Sequence, residues 1–242
     1  MGFAVARAAR AAGHDVALIA GPVSLKTPPG VRRIDVISAR DMLTAVLNEV
    51  KGERRKVKDE PPFTLHHSPF TVLVMTAAVA DWRPARCAKR KLKKDEMSDT
   101  LKLVRNPDIL KTINRQLHTR TTGVSPVDDP TTGTTGVSPV ALIRIGFAAE
   151  TGAPAAEAAR KCREKGLDLV VGNDVSEPGS GFGTRTNRVT FVTPDGRVQR
   201  LPLMSKLAVA RRIVAFAEAA VAGRPPCQSM AARVVKGSGD NG

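Results

Sequence analysis

Short apolar runs alternate with amphipathic helical segments along most of this chain, and that alternation is the strongest constraint on its fold. Clear examples of the apolar runs are D-V-A-L-I-A from Asp15, T-V-L-V-M from Thr71 and L-D-L-V-V-G-N-D from Leu167. Runs of this length and composition are typical of strands buried on both faces. The pattern predicts an α/β fold, a Rossmann-like, doubly wound and mostly parallel sheet with helices on both sides. Near the C-terminus, R-V-T-F-V and R-V-Q-R-L flank T-P-D-G and predict a β-hairpin, which a closing helix follows.

Two of the predicted helices carry clear start signals. Ser38 and Asp41 have the spacing of a capping box ahead of an apolar helical face. Asn106 is a predicted N-cap, with Pro107 in the first helical position. The N–H groups at the start of this second helix have no partner within the helix, so they could bind an anionic ligand.

One domain is predicted over residues 1–222, interrupted by two polar insertions at about 51–69 and 118–140. The second insertion holds two copies of T-T-G-V-S-P-V, which are too short to stack into a repeat core. We expect it to be disordered. Residues 223–242 are predicted to form a disordered basic tail.

Charge and cysteine usage limit the functional classes. The formal net charge of +15 favours phosphorylated ligands, but aromatic residues make up only 3% of the chain, too few for base-stacking platforms that bind single-stranded nucleic acid. The three cysteines lie far apart without a C-x-x-C pair, which is typical of a reducing compartment. No apolar run reaches the roughly 20 residues of a membrane span. These features predict a cytoplasmic protein that binds neither nucleic acid nor membranes.

The stretch from Thr71 to Lys94 contains the strongest chemical signal. Its apolar run ends in small residues and a carboxylate, Thr76, Ala77 and Asp81, and a lysine cluster follows. Ligands of open α/β sheets bind at the carboxyl ends of the strands, so this composition favours a nucleotide site. The alternative is that the alanines pack closely, Asp81 caps a turn and the lysines form a solvated loop.

Several motifs, taken together, resemble one enzyme family. They are G-P-V-S-L at Gly21, A-A-V-A-D-W-R-P at Ala77, K-L-K-K at Lys91, L-V-R-N-P-D-I-L at Leu103, G-F-A-A-E-T at Gly146, D-L-V-V-G-N-D-V-S at Asp168, G-F-G at Gly181 and L-P-L-M-S-K at Leu201. The chain resembles the bacterial CTP-dependent phosphopantothenate-cysteine ligases, also called phosphopantothenoylcysteine synthetases, which usually form the C-terminal half of a bifunctional coenzyme A biosynthesis protein.

The resemblance implies a two-step ligation with CTP as co-substrate and Mg²⁺ as cofactor. The carboxylate of 4'-phosphopantothenate attacks the α-phosphate of CTP to form an acyl-cytidylate and pyrophosphate. The amine of L-cysteine then displaces CMP. The resemblance also implies a homodimer, in which the segment around Trp82 to Val104 contributes to the subunit contact, and a phosphopantothenoylcysteine decarboxylase as a partner. No FMN is expected in this chain.

The same resemblance implies roles for individual residues. Lys91 would be the catalytic lysine, folding over the phosphates, and Asp81 would hold Mg²⁺. Phe147 would border the cytosine. The residues implied to bind CTP are Thr76, Ala77, Asp81, Lys91, Asn106, Pro107, Asp108, Ile109, Phe147, Lys161 and Lys165.

Members of the resembled family carry a strand and a phosphate-binding loop ahead of the segment that matches Met1, and these are missing from the predicted fold. Three other interpretations therefore stay open. They are a dinucleotide-binding oxidoreductase, for which no G-x-G-x-x-G motif follows a strand, a basic nucleic-acid-binding protein, and an inactive truncated member of the ligase family.

Overall fold

A computed structural model of the chain describes residues 1–51, 71–88, 90, 93, 100–121, 142–150, 154–174, 179–180 and 183–224. The two predicted insertions fall largely outside these residues, and the predicted tail beyond Arg224 does so entirely. Within the described ranges no helix is long and apolar enough to cross a membrane.

The protein has a mixed α/β architecture around a five-stranded sheet. The strands are β1 Ala17–Ala20, β2 Arg32–Asp35, β3 Val72–Met75, β4 Trp82–Pro84, β5 Leu103–Arg105, β6 Ile143–Glu150, β7 Leu169–Asp174, β8 Thr186–Asn187, β9 Val189–Val192, β10 Val198–Arg200 and β11 Met204–Ser205. The central sheet has the order β10-β9-β7-β6-β3. In it β3, β6 and β7 are parallel, whereas β9 and β10 are antiparallel, so the predicted parallel sheet ends in the predicted hairpin.

Among the described residues, six further strands form three separate pairs. β1 pairs with β2 in parallel, β4 pairs with β5 antiparallel, and β8 pairs with β11 antiparallel. In the part of the chain that the structure describes, no strand links the β1–β2 pair to β3. The described residues therefore contain the predicted parallel strands in two separate sheets.

In the described part of the chain, five helices cover both faces of the sheet. They are α1 Gly2–Ala11, α2 Ala39–Lys51, α3 Ile109–Thr121, α4 Pro154–Glu164 and α5 Lys206–Val221. Apolar residues of α1 and α5 share one core with the sheet, and residues of α2, α3 and α4 pack in two clusters on the opposite side. Helices on both faces confirm the predicted α/β class.

Strands β7 and β3 differ in how deeply their side chains are buried. Leu169, Val170 and Val171 of β7 are at most 1% exposed, which explains their continuous apolar run. The sequence predicts the same for β3, but that prediction is wrong, because Val72–Met75 are only half-buried. The reason is that, among the residues that the structure describes, one edge of β3 borders a wide cleft and no strand pairs with it.

The two predicted helix starts have different outcomes. The capping box of α2 is confirmed, since the Ser38 N–H donates to Asp41 Oδ2 at 2.9 Å and the Asp41 N–H donates to Ser38 Oγ at 3.2 Å. The prediction of Asn106 as N-cap is wrong. Helix α3 begins at Ile109, and Asp108 caps it by accepting the Lys111 N–H at 3.0 Å.

Candidate functional site

A small polar pocket lies at the carboxyl end of β3, where ligands of α/β sheets bind. Its walls are the loop that follows β3, the start of α3 and one residue each from β6 and the end of α4. The pocket has a volume of about 130 Å³ and is lined by Met75, Ala77, Val79, Ala80, Asp81, Pro107, Asp108, Ile109, Leu110, Phe147 and Lys165.

The side chain of Asn106 anchors the loop that forms one wall. Its Nδ2 donates to the Ala80 carbonyl at 2.8 Å, and its Oδ1 accepts from Arg83 Nη1 at 3.0 Å. The Asn106 backbone N–H donates to the Asp81 carbonyl at 2.7 Å. These three bonds tie the loop to the segment leading into α3. They also explain why Asn106 is not the N-cap, because its side chain is already used by the loop.

Asp108 and Lys165 meet on another wall of the pocket. Lys165 Nζ lies 3.1 Å from Asp108 Oδ2, while Asp108 Oδ1 caps α3. Burial raises the pKa of Asp108, but the Lys111 N–H and the Lys165 ammonium outweigh it and hold the pKa below its usual value. A carboxylate and an ammonium group therefore line the pocket side by side.

A network of polar contacts positions the end of α4 that carries Lys165. Asn114 on α3 donates to the Lys165 carbonyl and accepts from Arg144 Nη1 at 2.6 Å. Arg144 in turn offers its backbone N–H to Asp168 Oδ2 at 2.7 Å. Helix α4 ends at this point, and Gly166 adopts a left-handed φ of 55° against Asn114. Sequence reasoning missed Asn114 and Arg144, because their partners are remote along the chain.

The structure brings most of the sequence-predicted site residues together. Those that line the pocket are Ala77, Asp81, Pro107, Asp108, Ile109, Phe147 and Lys165. Thr76 lines the wide cleft beside β3 instead, Asn106 lies behind the pocket wall, and Lys161 does not line the pocket. Lys91 falls outside the described residues.

The geometry suits part of a nucleotide. The N-terminus of α3 lines the pocket, so its first N–H groups could bind an anion, while Lys165 adds a positive charge and Phe147 adds an aromatic surface. A pocket of about 130 Å³ is smaller than the roughly 300–1,000 Å³ of typical ligand sites. It would enclose one portion of a nucleotide, and the remainder would extend over the loop beyond Asp81.

The residues present fit a magnesium ion bound mainly through a nucleotide. Asp81 and Asp108 supply carboxylates on the pocket wall, and Mg²⁺ commonly uses one or two carboxylates together with phosphate oxygens. Asp108 already pairs with Lys165, so Asp81 is the better candidate ligand. Among the described residues, no group of three or more metal-binding side chains forms a dedicated metal site.

The Asp108 carboxylate should stabilise the fold only above acidic pH. Its pKa is lower in the folded protein than in the unfolded chain, so its contribution is present above the unfolded value of about 4 and is lost as the pH falls through the folded value. Near neutral pH we expect the free energy of unfolding of the parent to exceed that of Asp108→Asn by at most about 1 kcal/mol. The difference is small because the Asp108 side chain is 36% exposed, and solvent weakens its ion pair. Urea denaturation between pH 2 and 7 measures the difference. A difference that persisted unchanged at the lowest pH would contradict the ion-pair assignment.

Comparison with known families gives one match over most of the chain. Residues 1–58, 63–125 and 135–220 match the family described as DNA/pantothenate metabolism flavoprotein C-terminal domain. These ranges include the pocket and every residue predicted to bind the nucleotide.

Curated relatives are named coenzyme A biosynthesis bifunctional protein CoaBC. The chain is 38% identical over 216 residues to the protein from Vibrio vulnificus (strain YJ016), covering 88% of this chain and 44% of the relative. It is 37% identical over 215 residues to the protein from Bacillus subtilis (strain 168), covering 88% and 43%. The chain thus spans less than half the length of these relatives.

Two solved structures share the fold. The C-terminal domain of the coenzyme A biosynthesis bifunctional protein CoaBC aligns with a TM-score of 0.63 at 30% identity, covering 92% of this chain and 82% of that chain. The DNA/pantothenate metabolism flavoprotein from Streptococcus pneumoniae aligns with a TM-score of 0.61 at 16% identity, covering 90% and 86%, and shows likeness of fold alone.

Proposed function

Because the chain belongs to the family of the DNA/pantothenate metabolism flavoprotein C-terminal domain, we propose that it is a CTP-dependent phosphopantothenate-cysteine ligase of coenzyme A biosynthesis. In this reaction the carboxylate of 4'-phosphopantothenate attacks the α-phosphate of CTP, and pyrophosphate leaves. The amine of L-cysteine then attacks the acyl-cytidylate and displaces CMP. The product is 4'-phosphopantothenoylcysteine.

The observation that carries the proposal is the convergence of seven predicted nucleotide-binding residues on one pocket. They come from the loop after β3, the start of α3, the strand β6 and the end of α4, which are far apart along the chain. A solvated loop with an unrelated lysine cluster would not require these segments to meet. Convergence at the carboxyl end of a parallel strand favours a ligand site over that alternative.

Each residue of the pocket would contact a different part of CTP. Phe147 would border the cytosine, and Ala77 would let the nucleotide approach the backbone closely. The N–H groups at the start of α3 and the ammonium of Lys165 would attract the negatively charged part of the ligand. Lys91, in the K-L-K-K motif, would reach the phosphates and stabilise the charge that develops as pyrophosphate leaves.

A bound Mg²⁺ would neutralise phosphate charge, and Asp81 would hold it. Asp81 is exposed on the pocket wall, and its backbone carbonyl is fixed by the Asn106 N–H. The loop position of this carboxylate is therefore set by the same contacts that shape the pocket.

Nucleotide choice tests the proposal. CTP with Mg²⁺ should raise the melting temperature of the chain more than ATP or NADP with Mg²⁺ at equal concentration, because a ligand that binds only the folded state stabilises it more when it binds more tightly. Differential scanning fluorimetry measures the shifts. Equal shifts for all three nucleotides would reject the CTP assignment, and a larger shift with NADP would favour the oxidoreductase alternative.

The proposal extends to a homodimer, to a phosphopantothenoylcysteine decarboxylase as partner and to a cytoplasmic location. The small β4–β5 sheet carries the exposed apolar residues Trp82 and Leu103, and Arg105 stacks on the Trp82 ring at 5.0 Å. Leu101, which is 68% exposed, lies next to this sheet. Exposed aromatic and arginine side chains of this kind are enriched in protein interfaces.

Subunit association through β4–β5 should be weakened by removing its aromatic side chain. We expect Trp82→Ala to raise the dimer dissociation constant by about tenfold or more, which is typical of losing a central interface aromatic residue. Analytical ultracentrifugation over a concentration series measures this constant. Val198→Ala, at an exposed apolar position on the remote edge strand β10, is the matched control. A strictly monomeric parent at high concentration would contradict the proposed dimer.

A further inference from the structure

Lys165 is held at both of its ends by α3 and the residue that caps this helix. The lysine ammonium lies 3.1 Å from Asp108 Oδ2, and the lysine carbonyl accepts a hydrogen bond from Asn114 Nδ2. Asp108 and Asn114 are six residues apart in the sequence, which corresponds to about 9 Å along a helix axis. Lys165 therefore lies along α3, with its ammonium group towards the helix N-terminus and the pocket.

This double anchor restricts a side chain that is ordinarily mobile. A lysine carries its charge on a flexible four-carbon stem, so an unrestrained ammonium group samples many positions. Holding the carbonyl and the ammonium of Lys165 at once keeps the charge beside the pocket before any ligand binds. Less side-chain entropy is then lost on binding, which favours affinity.

Contacts with the central sheet fix the orientation of the Asn114 amide. Arg144 Nη1, from β6, donates to Asn114 Oδ1 at 2.6 Å, so the amide nitrogen is the atom that meets the Lys165 carbonyl. Arg144 is itself tied to Asp168, because the Asp168 N–H donates to the Arg144 carbonyl at 2.8 Å and the Arg144 N–H donates to Asp168 Oδ2 at 2.7 Å. A Cβ atom added to Gly166 would lie only 2.9 Å from Asn114 Nδ2. The turn after α4 therefore packs directly on this amide.

Helix propensity does not explain an asparagine at this position. Asn114 lies in the second turn of α3, where asparagine is a weaker helix former than leucine, lysine or glutamate. Its side chain does not line the pocket, so it would not touch a ligand there. What the side chain supplies is a donor for Lys165 and an acceptor for Arg144.

We propose that Asn114 is a positioning residue for nucleotide binding, which holds the Lys165 backbone so that the lysine ammonium is in place for the charged part of the nucleotide. Asn114 acts only through Lys165 and touches neither the ligand nor the reacting atoms. The gain in affinity comes from preorganisation of the positive charge. This inference rests on the proposed function, because it requires the pocket to bind a nucleotide.

A double-mutant cycle between Asn114 and Lys165 tests the proposal. Asn114→Asp is nearly isosteric and keeps an acceptor for Arg144, but it has no donor for the Lys165 carbonyl. We expect this variant to raise the dissociation constant for CTP with Mg²⁺ by about tenfold, on the scale of one lost hydrogen bond. In a Lys165→Met background the same substitution should change the constant by less than about twofold. Isothermal titration calorimetry measures the constant for all four proteins.

The cycle separates positioning from a general effect of the added charge or of damage to the fold. Either general effect would weaken CTP binding equally in the two backgrounds, and that result would overturn the proposal. An unchanged affinity of Asn114→Asp would overturn it too. Asn114→Ala, which removes the donor without adding a charge, enters the same cycle and should show the same dependence on Lys165.

Asn48→Asp is the matched control, since it makes the same change on α2 at a residue that does not line the pocket. It should bind CTP like the parent. A loss of affinity as large as that of Asn114→Asp would contradict the positioning role.

A parallel titration with ATP distinguishes failure of this inference from failure of the proposed function. Equal binding of ATP and CTP, with a loss on Asn114→Asp only when Lys165 is present, would reject the CTP assignment and support the positioning role. Preferential binding of CTP with equal losses in both backgrounds would support the proposed function and overturn the positioning role. Binding of neither nucleotide would overturn both.

Discussion

Replacing Lys91 by glutamine is expected to lower the rate of acyl-cytidylate formation by about 10²–10³-fold, close to 3–4 kcal/mol of transition-state stabilisation. The physical reason is that a fixed ammonium group offsets the charge that builds up on the phosphates as pyrophosphate leaves. Pyrophosphate release in the absence of cysteine measures this half-reaction directly. We expect kcat to fall more than the apparent affinity for CTP, because the contact matters most in the transition state.

The control for Lys91→Gln is Lys89→Gln, which makes the same change of charge just outside the K-L-K-K motif. Both variants are expected to melt within about two degrees of the parent, because lysine side chains are seldom fully buried and surface substitutions change stability little. Equal losses of activity in the two variants, or no loss in either, would mean that Lys91 belongs to a diffuse basic surface and is not the catalytic lysine.

Replacing Asn106 by alanine is expected to weaken nucleotide binding by about tenfold or more and to destabilise the fold by about 1–3 kcal/mol. The change removes the donor to the exposed Ala80 carbonyl and the acceptor for Arg83 Nη1 in a part-buried contact, so two hydrogen bonds are lost. The loop that carries Asp81 then loses the side-chain anchor that holds it against the start of α3. Titration calorimetry with CTP and urea denaturation measure the two effects separately.

Thr193→Ala is the matched control for the anchor. Thr193 is 2% exposed, and its hydroxyl donates to Asp195 in the β9–β10 turn, at the end of the sheet opposite the pocket. It should reduce stability without changing the affinity for CTP. If Asn106→Ala lost only as much affinity as this control, the anchor would be structural and unrelated to the nucleotide.

The sequence alone determined the element types and the neighbourhood of the site, because both depend on local patterns. Apolar periodicity identified the strands of the central sheet and the main helices, and the spacing of Ser38 and Asp41 identified the start of α2. Because ligands of α/β sheets bind at the carboxyl ends of strands, the sequence predicted that Ala77 and Asp81 belong to the site. The structure places both on the pocket wall.

Only the tertiary structure decided which polar groups meet. Asn106 has a good N-cap composition, yet its side chain bonds the loop at Ala80, and Asp108 caps α3 instead. Asp108 directly precedes α3 and Lys165 directly follows α4, and the two pair because the fold brings these helix ends together. Local propensity contains no term for such contacts, since their energies depend on which elements become neighbours.

The cleft beside β3 illustrates the same limit at the scale of the sheet. The composition of Val72–Met75 predicts a strand buried between two neighbours, and that composition is correct for a central strand. The strands that neighbour β3 depend on the order of strands in the folded sheet, and among the described residues β3 has β6 on one side and the cleft on the other. The apolar composition of a strand indicates that it suits a buried position in a sheet. The order of the strands in the folded sheet determines which of its edges is covered.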